Sequence, residues 1–409
     1  MHCRYCNNKL NNLVADLHYS PPSNRYLTSE QLSKPEVYYP LRVQVCDSCW
    51  LVQTEDYVKS KTDGLFDENY AYFSSTSSSF LEHAKKYCEK MISRFGLDSE
   101  SLVIEIASND GYLLKNFIGT EIKAIGIEPT KSTAEAAEKI GINVINEFFG
   151  VDLADKLLTD GIKSDLIIGN NVYAHIPDIN DFTLGMKLLL KDEGVITLEM
   201  PHVLELLKHS QFDTIYHEHF SYHSLYTIQK IFKKHGLRVF DVEALITHGG
   251  SLRVYGCLEN ASHKEKSSVS DLLVEEKNSG LQTLDTYSNF QSTIDNIKTN
   301  VLDFLINKKK EGKTVVAYGA AAKGNTLLNY CGIKSDLIRA VFDAAESKQG
   351  KFLPGSHIPI LNPKEIKTYN PDYVIILPWN IADEVIQQNK ELYDNGVKFL
   401  IAVPELKIL

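Results

Sequence analysis

Two stretches of this chain repeat one rhythm: a short run of Val, Ile and Leu, a turn, then a longer segment with helical spacing. The first set starts at residues 102–110 (LVIEIASND) and continues through 124–129 (AIGIEP), 142–145, 165–171 (DLIIGNN) and 194–201 (GVITLEMP). The second restarts at 314–319 (TVVAYG) and runs through 337–343, 373–377 (YVIIL) and 399–403. Short apolar runs bounded by turn residues read as buried strands. Strands alternating with helices imply parallel sheets with right-handed crossovers. At 409 residues the chain exceeds one ordinary core, so two or three domains are expected. Residues 260–307 lack strand signals and read as helices and connector.

Composition narrows the function. Hydrophobic content of 43% and charged content of 23% are those of a globular chain in water. A net charge of −10 argues against a general nucleic-acid or membrane-surface binder, while leaving room for a local phosphate site. No apolar run is long enough to cross a bilayer, and the N-terminus lacks a signal peptide's apolar core. A cytoplasmic monomer with no nucleic-acid or membrane partner is expected.

Of seven cysteines, Cys88, Cys257 and Cys331 stand alone and read as small buried residues. The other four form two knuckles, Cys3-Arg-Tyr-Cys6 and Cys46-Asp-Ser-Cys49. A redox site would place one C-x-x-C at a helix start rather than two together. Paired knuckles read as a closed four-thiolate zinc site, with no position for a reactive water and hence a structural role. Between them, residues 17–27 (LHYSPPSNRYL) read as a Pro-rich loop reaching Asn24, Arg25 and Tyr26, either a surface connection or a lid. Tyr70, Tyr72 and Phe73 follow, then serines at 74–79 before a helix expected over 80–95.

The turn after the first strand carries Glu105, Ala107, Ser108, Asn109, Asp110 and Gly111, an acidic variant of a nucleotide-binding loop. The second strand ends in Glu128-Pro129, and an acid roughly 20 residues past the glycine loop is placed to hold ribose hydroxyls. Ala107 stands where a dinucleotide fingerprint needs its first Gly. That suits S-adenosylmethionine, which has no pyrophosphate needing close backbone approach. Phe148, after the third strand, is placed to bracket an adenine ring. Asn170 and Asn171 end the fourth strand, followed by V-x-x-H-I-P-D with His175. In this order the features have the layout of a class I methyltransferase.

Residues 212–223 (FDTIYHEHFSYH) hold Tyr216, His217, Glu218, His219, Tyr222 and His223, all able to move protons or bind metal, with Asp213 beside them. They fall past the fifth strand, where open α/β sheets bind ligands. Such side chains also fill cores with their polar tips satisfied. A metal hydrolase or oxygenase ligated by His217, His219 and His223 is a further alternative, since alternate residues of an extended strand share a face. In the second strand set, the loop GAAAKGNT places Lys323 before Gly324, where a Walker motif needs the lysine after it. This argues against an NTPase. Lys323 at a helix N-terminus can still cradle a diphosphate, or be a solvated turn residue.

Several strings together resemble one family. The paired C-x-x-C, NYAYFSS, EIASNDGYLL, NNVYAHIPD, FDTIYHEHFSYHS, HGGSLRVY, YGAAAKGNTLLNY and LPWN are similar to the pattern of the zinc-containing sugar C-methyltransferases. Those enzymes use S-adenosylmethionine to methylate nucleotide-linked 4-keto-6-deoxy sugars. The resemblance runs nearly end to end. It implies an α/β fold in three parts: a zinc-binding domain over 1–68, a class I methyltransferase Rossmann-like domain over 69–256, and a helical connector plus C-terminal Rossmann-like α/β domain over 257–409. It implies S-adenosylmethionine held by Glu105, Ala107, Ser108, Asn109, Asp110, Gly111, Glu128, Pro129, Phe148, Asn170 and Asn171, and structural zinc on Cys3, Cys6, Cys46 and Cys49. It also implies His219 as base, oriented or tuned by Glu218, with Tyr216, His175 and Tyr70 around the ketone. Tyr72, Tyr222, Arg253, Lys323, Asn325 and Asn380 would hold the substrate. Were Tyr216 the base instead, its pKa would have to be strongly lowered. Methylation at C3 of a dTDP-sugar in deoxysugar biosynthesis is the expected reaction, with C5 as the alternative.

Overall fold

Val, Ile and Leu crowd the strands of the first set because those strands are covered on both faces. The computed structural model describes residues 1–57 and 74–409. An N-terminal antiparallel sheet begins with β1 (Asn12–Ser20), β2 (Tyr39–Val45) and β3 (Val52–Thr54). The central sheet takes β4 (Leu102–Ile106), β5 (Lys123–Ile127), β6 (Asn143–Ile145), β7 (Ser164–Asn170) and β8 (Leu190–Pro201). The next strand in the chain, β9 (Ser221–Tyr222), leaves this sheet and pairs with β3. β10 (Leu237–Leu245) and β11 (Ser251–Leu258) return to the centre and complete seven strands in the order β6-β5-β4-β7-β8-β11-β10. β11 runs antiparallel to both neighbours, and β4 to β8 are parallel.

Side chains alternate across a strand, and here the two sets feed two cores. Ile104, Ile167, Ile196 and Leu198 pack with Phe182, Met186 and Phe232 on one face. Val103, Ile168 and Tyr255 pack with Tyr87 and Met91 of the helix Ser78–Phe95 on the other. Each fully buried Leu, Ile or Phe adds roughly 1.5–3 kcal/mol through removal of apolar surface from water, so both faces hold the sheet. That helix begins at Ser77, whose hydroxyl accepts the Phe80 N–H, and ends at the left-handed Gly96.

The second strand set forms its own sheet: β12 (Val315–Tyr318), β13 (Val341–Phe342), β14 (Ile360–Leu361), β15 (Tyr373–Ile376), β16 (Lys398–Ile401) and β17 (Lys407–Ile408). The order is β14-β13-β12-β15-β16-β17, parallel except at β17. The run at 337–343 contributes only two strand residues, because the N–H groups of Leu337 and Ile338 turn back to the Lys334 carbonyl. Residues 260–307 do carry helices, Ser267–Asn278, Asp285–Ser288 and the start of Phe290–Lys310. The first of them packs on β10, and the last packs on β1 and on the helix Ala322–Cys331. Among the described residues no helix is long and apolar enough to cross a membrane.

Two local expectations change. Residues 17–20 belong to β1, which stops where Pro21 and Pro22 remove backbone donors. Residues 20–23, Tyr26 and Leu27 are then buried rather than a surface connection. Leu27 exchanges backbone hydrogen bonds with Phe352, and the Tyr26 hydroxyl donates to the Ala320 carbonyl at 2.6 Å. The segment is wedged against the C-terminal sheet.

Glu276 shows how the connector locks onto the central sheet. It is fully buried, accepts the N–H groups of Leu225 (2.6 Å) and Tyr226 (3.0 Å) at the start of the helix Leu225–Lys234, and meets His202 Nε2 at 2.8 Å. Glu276→Leu leaves these groups without their acceptor, and removing one partner of such a buried set costs about 3–5 kcal/mol. Urea unfolding should show a loss of that size.

Candidate active site

Four polar stretches converge beyond the carboxyl ends of the central strands. The loop after β4 is held in a backbone conformation that side-chain-bearing residues seldom adopt: Ala107 and Asn109 have φ of 59° and 50°. Gly111 has φ 78°, where a side chain would be strained, and a Cβ there would lie 2.2 Å from Ile142 Cδ1 and push that side chain aside. Glu128 accepts the N–H groups of Asn109 (2.9 Å) and Thr130 (2.8 Å). Its carboxylate thus braces the loop, and burial pushes its pKa up. Ser74 N–H donates to Asn109 Oδ1 (3.0 Å) and Ser75 N–H to Asp110 Oδ2 (3.1 Å), fastening the chain ahead of the helix Ser78–Phe95 onto this loop.

Several polar atoms here are buried with no hydrogen-bond partner among the described residues: the oxygens Glu105 Oε2, Ser108 Oγ, Asp110 Oδ1, Asn170 Oδ1 and Asn171 Oδ1, and the Asn171 Nδ2 donor. Asn171 is also left-handed, at φ 55°. Buried polar atoms are normally paired. A cradle rich in acceptors at the ends of β4 and β7 therefore fits a ligand carrying hydroxyls and positive charge, as S-adenosylmethionine does. Pro129 is half-buried beside it, and Phe148 is 42% exposed.

The stretch after β8 is not extended. A helix, Val203–Lys208, and a single turn, Phe212–Thr214, precede a turn in which His219 N–H donates to Tyr216 O at 2.9 Å. The alternation of an extended strand therefore does not apply to His217 and His219. His219 Nδ1 lies 2.7 Å from the Thr214 carbonyl, which can only accept, so Nδ1 carries the proton. Nε2 is then the lone-pair nitrogen and accepts the Tyr216 hydroxyl at 2.7 Å. Burial, with His175 next, holds the His219 pKa well below the usual histidine range and the ring neutral. His175 stands edge-on to it, centroids 4.7 Å apart, its pKa lowered to about 4 by burial.

Burial raises the Glu218 pKa to about 7, against hydrogen bonds from its own backbone and from Asn24 Nδ2 at 3.4 Å. Tyr222, edge-on to His219 at 6.1 Å, is buried with a hydroxyl that has no partner among the described residues. His217 lies edge-on to Tyr39, and His223 lies tilted against Tyr173 with centroids 4.8 Å apart. Among the described residues the histidines form no metal-binding group; the cysteines do. Tyr70 and Tyr72 lie outside the described residues.

The C-terminal unit closes the other side. Thr326 Oγ1 donates to the Ile215 carbonyl at 2.8 Å, and Trp379 Nε1 donates to Asp213 Oδ2 at 2.7 Å. Lys323 lies over the Trp379 ring at 4.5 Å and donates to Asn380 Oδ1 at 3.1 Å. Burial lowers its pKa and raises that of Asp213 to about 6, each partly offset by the other's charge. Asn325 donates to the Ser23 carbonyl at 2.6 Å. Arg253, in contrast, is engaged by Glu199 (2.9 Å) and Glu243 (3.2 Å) under the helix Ser78–Phe95, with Tyr87 against its guanidinium.

Sequence reasoning left His248 without a role. It sits at φ 54°, its carbonyl near Lys323 Nζ (3.4 Å), and Nε2 is buried without a partner among the described residues. The H-G-G string was the available signal: Gly249 is at φ 88°, and a Cβ there would lie 2.2 Å from Trp379.

The four cysteine sulfurs all lie within 4.8 Å of one another, with Cys3–Cys49 at 3.5 Å and Cys6–Cys46 at 3.6 Å. Tetrahedral zinc with Zn–S of about 2.3 Å needs sulfurs about 3.8 Å apart, so the donor set fits zinc. Both knuckles use one fold, Asn7 N–H bonding to Cys3 O and Trp50 N–H to Cys46 O.

Sheet order, acceptor-lined cradle and four-sulfur cluster define a zinc-containing methyltransferase. Three family models match in succession: "Putative zinc binding domain" over residues 3–62, "Methyltransferase domain" over 80–242, and "C-methyltransferase C-terminal domain" over 246–404. The C-methyltransferase NovU of Streptomyces niveus is 35% identical over 407 residues, covering 100% of this chain and 96% of that one. The chain belongs to the zinc-containing, S-adenosylmethionine-dependent C-methyltransferases, the family its motifs resemble. Its cofactors are S-adenosylmethionine and zinc. Among solved structures, an S-adenosylmethionine-dependent methyltransferase from Clostridium acetobutylicum matches 44% of this chain and 92% of its own at 11% identity and a TM-score of 0.35. The YcgJ protein of Bacillus subtilis matches 44% and 100% at 14% identity, also with a TM-score of 0.35.

Glu218 gives this site a pH signature. Its folded pKa of about 7 lies above its ordinary 4.5, so the folded state binds the proton more tightly. That group's contribution to stability is lost as pH rises from 4.5 through 7 and is flat above. Glu218→Gln should remove this slope and stabilise the protein at pH 8 by on the order of 3 kcal/mol, read from urea midpoints at pH 5.5 and 8.

Proposed function

We propose that this enzyme methylates a carbon next to the ketone of a nucleotide-linked 4-keto-6-deoxy sugar, at C3 of a dTDP-sugar, in deoxysugar biosynthesis. The observation that carries the reading is the Tyr216–His219 pair: a neutral imidazole with its lone pair on a tyrosine hydroxyl, inside a water-poor pocket. A C–H bond beside a ketone loses its proton only to a positioned base, with donors to stabilise the enolate oxygen. His219 is the base. It takes the proton on Nε2, either directly or through Tyr216, whose oxygen gains the substrate proton as its own passes to Nε2. Thr214 O keeps the ring oriented throughout. His175, neutral and beside the pair, is placed to donate to the ketone oxygen, and Tyr70 is assigned there too.

When bound, S-adenosylmethionine supplies an electrophilic methyl group for the carbanion. Glu105, Ala107, Ser108, Asn109, Asp110, Gly111, Glu128, Pro129, Phe148, Asn170 and Asn171 are the residues proposed to hold it. Lys323, at the start of the helix Ala322–Cys331, offers positive charge and a helix N-terminus to the diphosphate, with Asn380, Asn325, Tyr222 and Tyr72 as further contacts. Arg253 holds Glu199 at the carboxyl end of β8 and reaches substrate only by leaving that ion pair.

The test is mass spectrometry with S-adenosylmethionine and freshly made dTDP-4-keto-6-deoxyhexoses in deuterated water. A product one methyl heavier, located by its fragments, is expected. His219→Asn should lower both methylation and deuterium uptake by about 10²–10⁴-fold, and Tyr216→Phe by less. If the unaltered enzyme neither methylates nor exchanges deuterium into any such sugar, the reading fails.

A further inference from the structure

Two residues of β3 stand between the cysteine cluster and the His219 backbone. Adjacent residues on a strand face opposite ways, and here the two faces serve the two sites. Gln53 is fully buried; its Nε2 donates to Cys3 Sγ at 3.2 Å and its Oε1 accepts the Arg4 N–H at 3.0 Å. Thr54, also buried, donates from Oγ1 to the carbonyl of His219 at 3.0 Å, and its N–H donates to Phe220 O at 3.1 Å. The pairing Gln53↔Ser221 and Val52↔Tyr222 continues this contact.

Arg4, inside the first knuckle, reinforces the link. Its Nη2 donates to Thr54 O at 2.9 Å and its Nη1 to Pro177 O at 3.2 Å, two residues beyond His175, while Phe220 lies against the guanidinium at 5.1 Å. Asn180 Nδ2 donates to the carbonyls of Arg4 and Tyr5 at 3.0 and 3.1 Å. The knuckle therefore hydrogen-bonds the segment that follows His175 directly and reaches the His219 segment through Thr54 and the Arg4–Phe220 contact. Donors around a metal ligand fix its orientation; here the same donor strand continues to the base.

The geometry points to Thr54 as a positioning residue for His219, with Gln53 and Arg4 carrying the order of the zinc site to it. This rests on His219 being the base. Thr54 fixes the backbone carbonyl of His219, while Thr214 O holds its ring at Nδ1 and Tyr216 meets it at Nε2. A shift of the first strains the second, and a misplacement of about 1 Å in a reacting group can cost on the order of a hundredfold in rate.

The experiment uses the full-length, zinc-loaded protein. Thr54→Val removes the donor and keeps the volume. It should retain zinc and KM for both substrates, lower kcat by about ten- to a hundredfold, and move the His219 Nδ1 proton resonance of histidine-labelled protein measured without substrates. Thr54→Ser should restore both. Gln53→Met should move the same resonance and also weaken zinc retention against a chelator. An unmoved resonance in Thr54→Val, or no restoration by Thr54→Ser, overturns the assignment. A moved resonance with unchanged kcat supports the link and counts instead against His219 as base. If Thr54→Val and Gln53→Met both fail to fold, the bonds serve the fold and the assignment is also overturned.

Discussion

The pairing of β3 with β9 is the contact on which the site depends. β9 is two residues long, too short to hold its place by its own ladder. It is held because it pairs with β3, whose connection to β2 carries Cys46 and Cys49 of the four-cysteine cluster. The turn bearing Tyr216, Glu218 and His219 comes immediately before it, so the order of the cysteine cluster reaches the Tyr216–His219 pair. The same segment is gripped from the C-terminal side by Thr326 and Trp379. A site assembled from three sheets can be rigid although no one sheet contains it.

Burial then sets the chemistry. His175, His217, His219, His223 and His248 are all held below the ordinary histidine pKa, chiefly by loss of water. Neutral rings each keep one nitrogen lone pair able to accept a proton, the form that a general base needs. Lys323 and Asp213, which both meet Trp379, carry opposite charges at the seam between central and C-terminal sheets. Each is more tolerable there because the other is present.

Much of the layout was readable along the chain. The strands from 102 to 201 and from 314 to 403 announce themselves as apolar runs, and the paired C-x-x-C knuckles announce a metal site, because both signals are local. The acid-rich loop at 105–111 was legible for the same reason. The end of β1 was not: the Pro-Pro step suggested a loop from 17 onward, yet the strand persists to Ser20. Nor was the conformation of 216–219, since a dense polar stretch has no period to read. Thr54, Gln53 and His248 carry no motif of their own; their significance lies in what folds against them.

The sequence by itself determined two open, mainly parallel sheets, a four-sulfur zinc site and the inventory of titratable groups, because hydrophobic period, ligand spacing and residue chemistry are properties of neighbours in the chain. Only the tertiary structure decided which nitrogen of His219 carries the lone pair. That choice follows from Thr214 O meeting Nδ1 and the Tyr216 hydroxyl meeting Nε2. It also decided that Arg253 answers Glu199 and that Thr54 reaches His219. Hydrogen bonds between segments distant in the chain depend on direction and burial, and neither exists until the sheets have packed together.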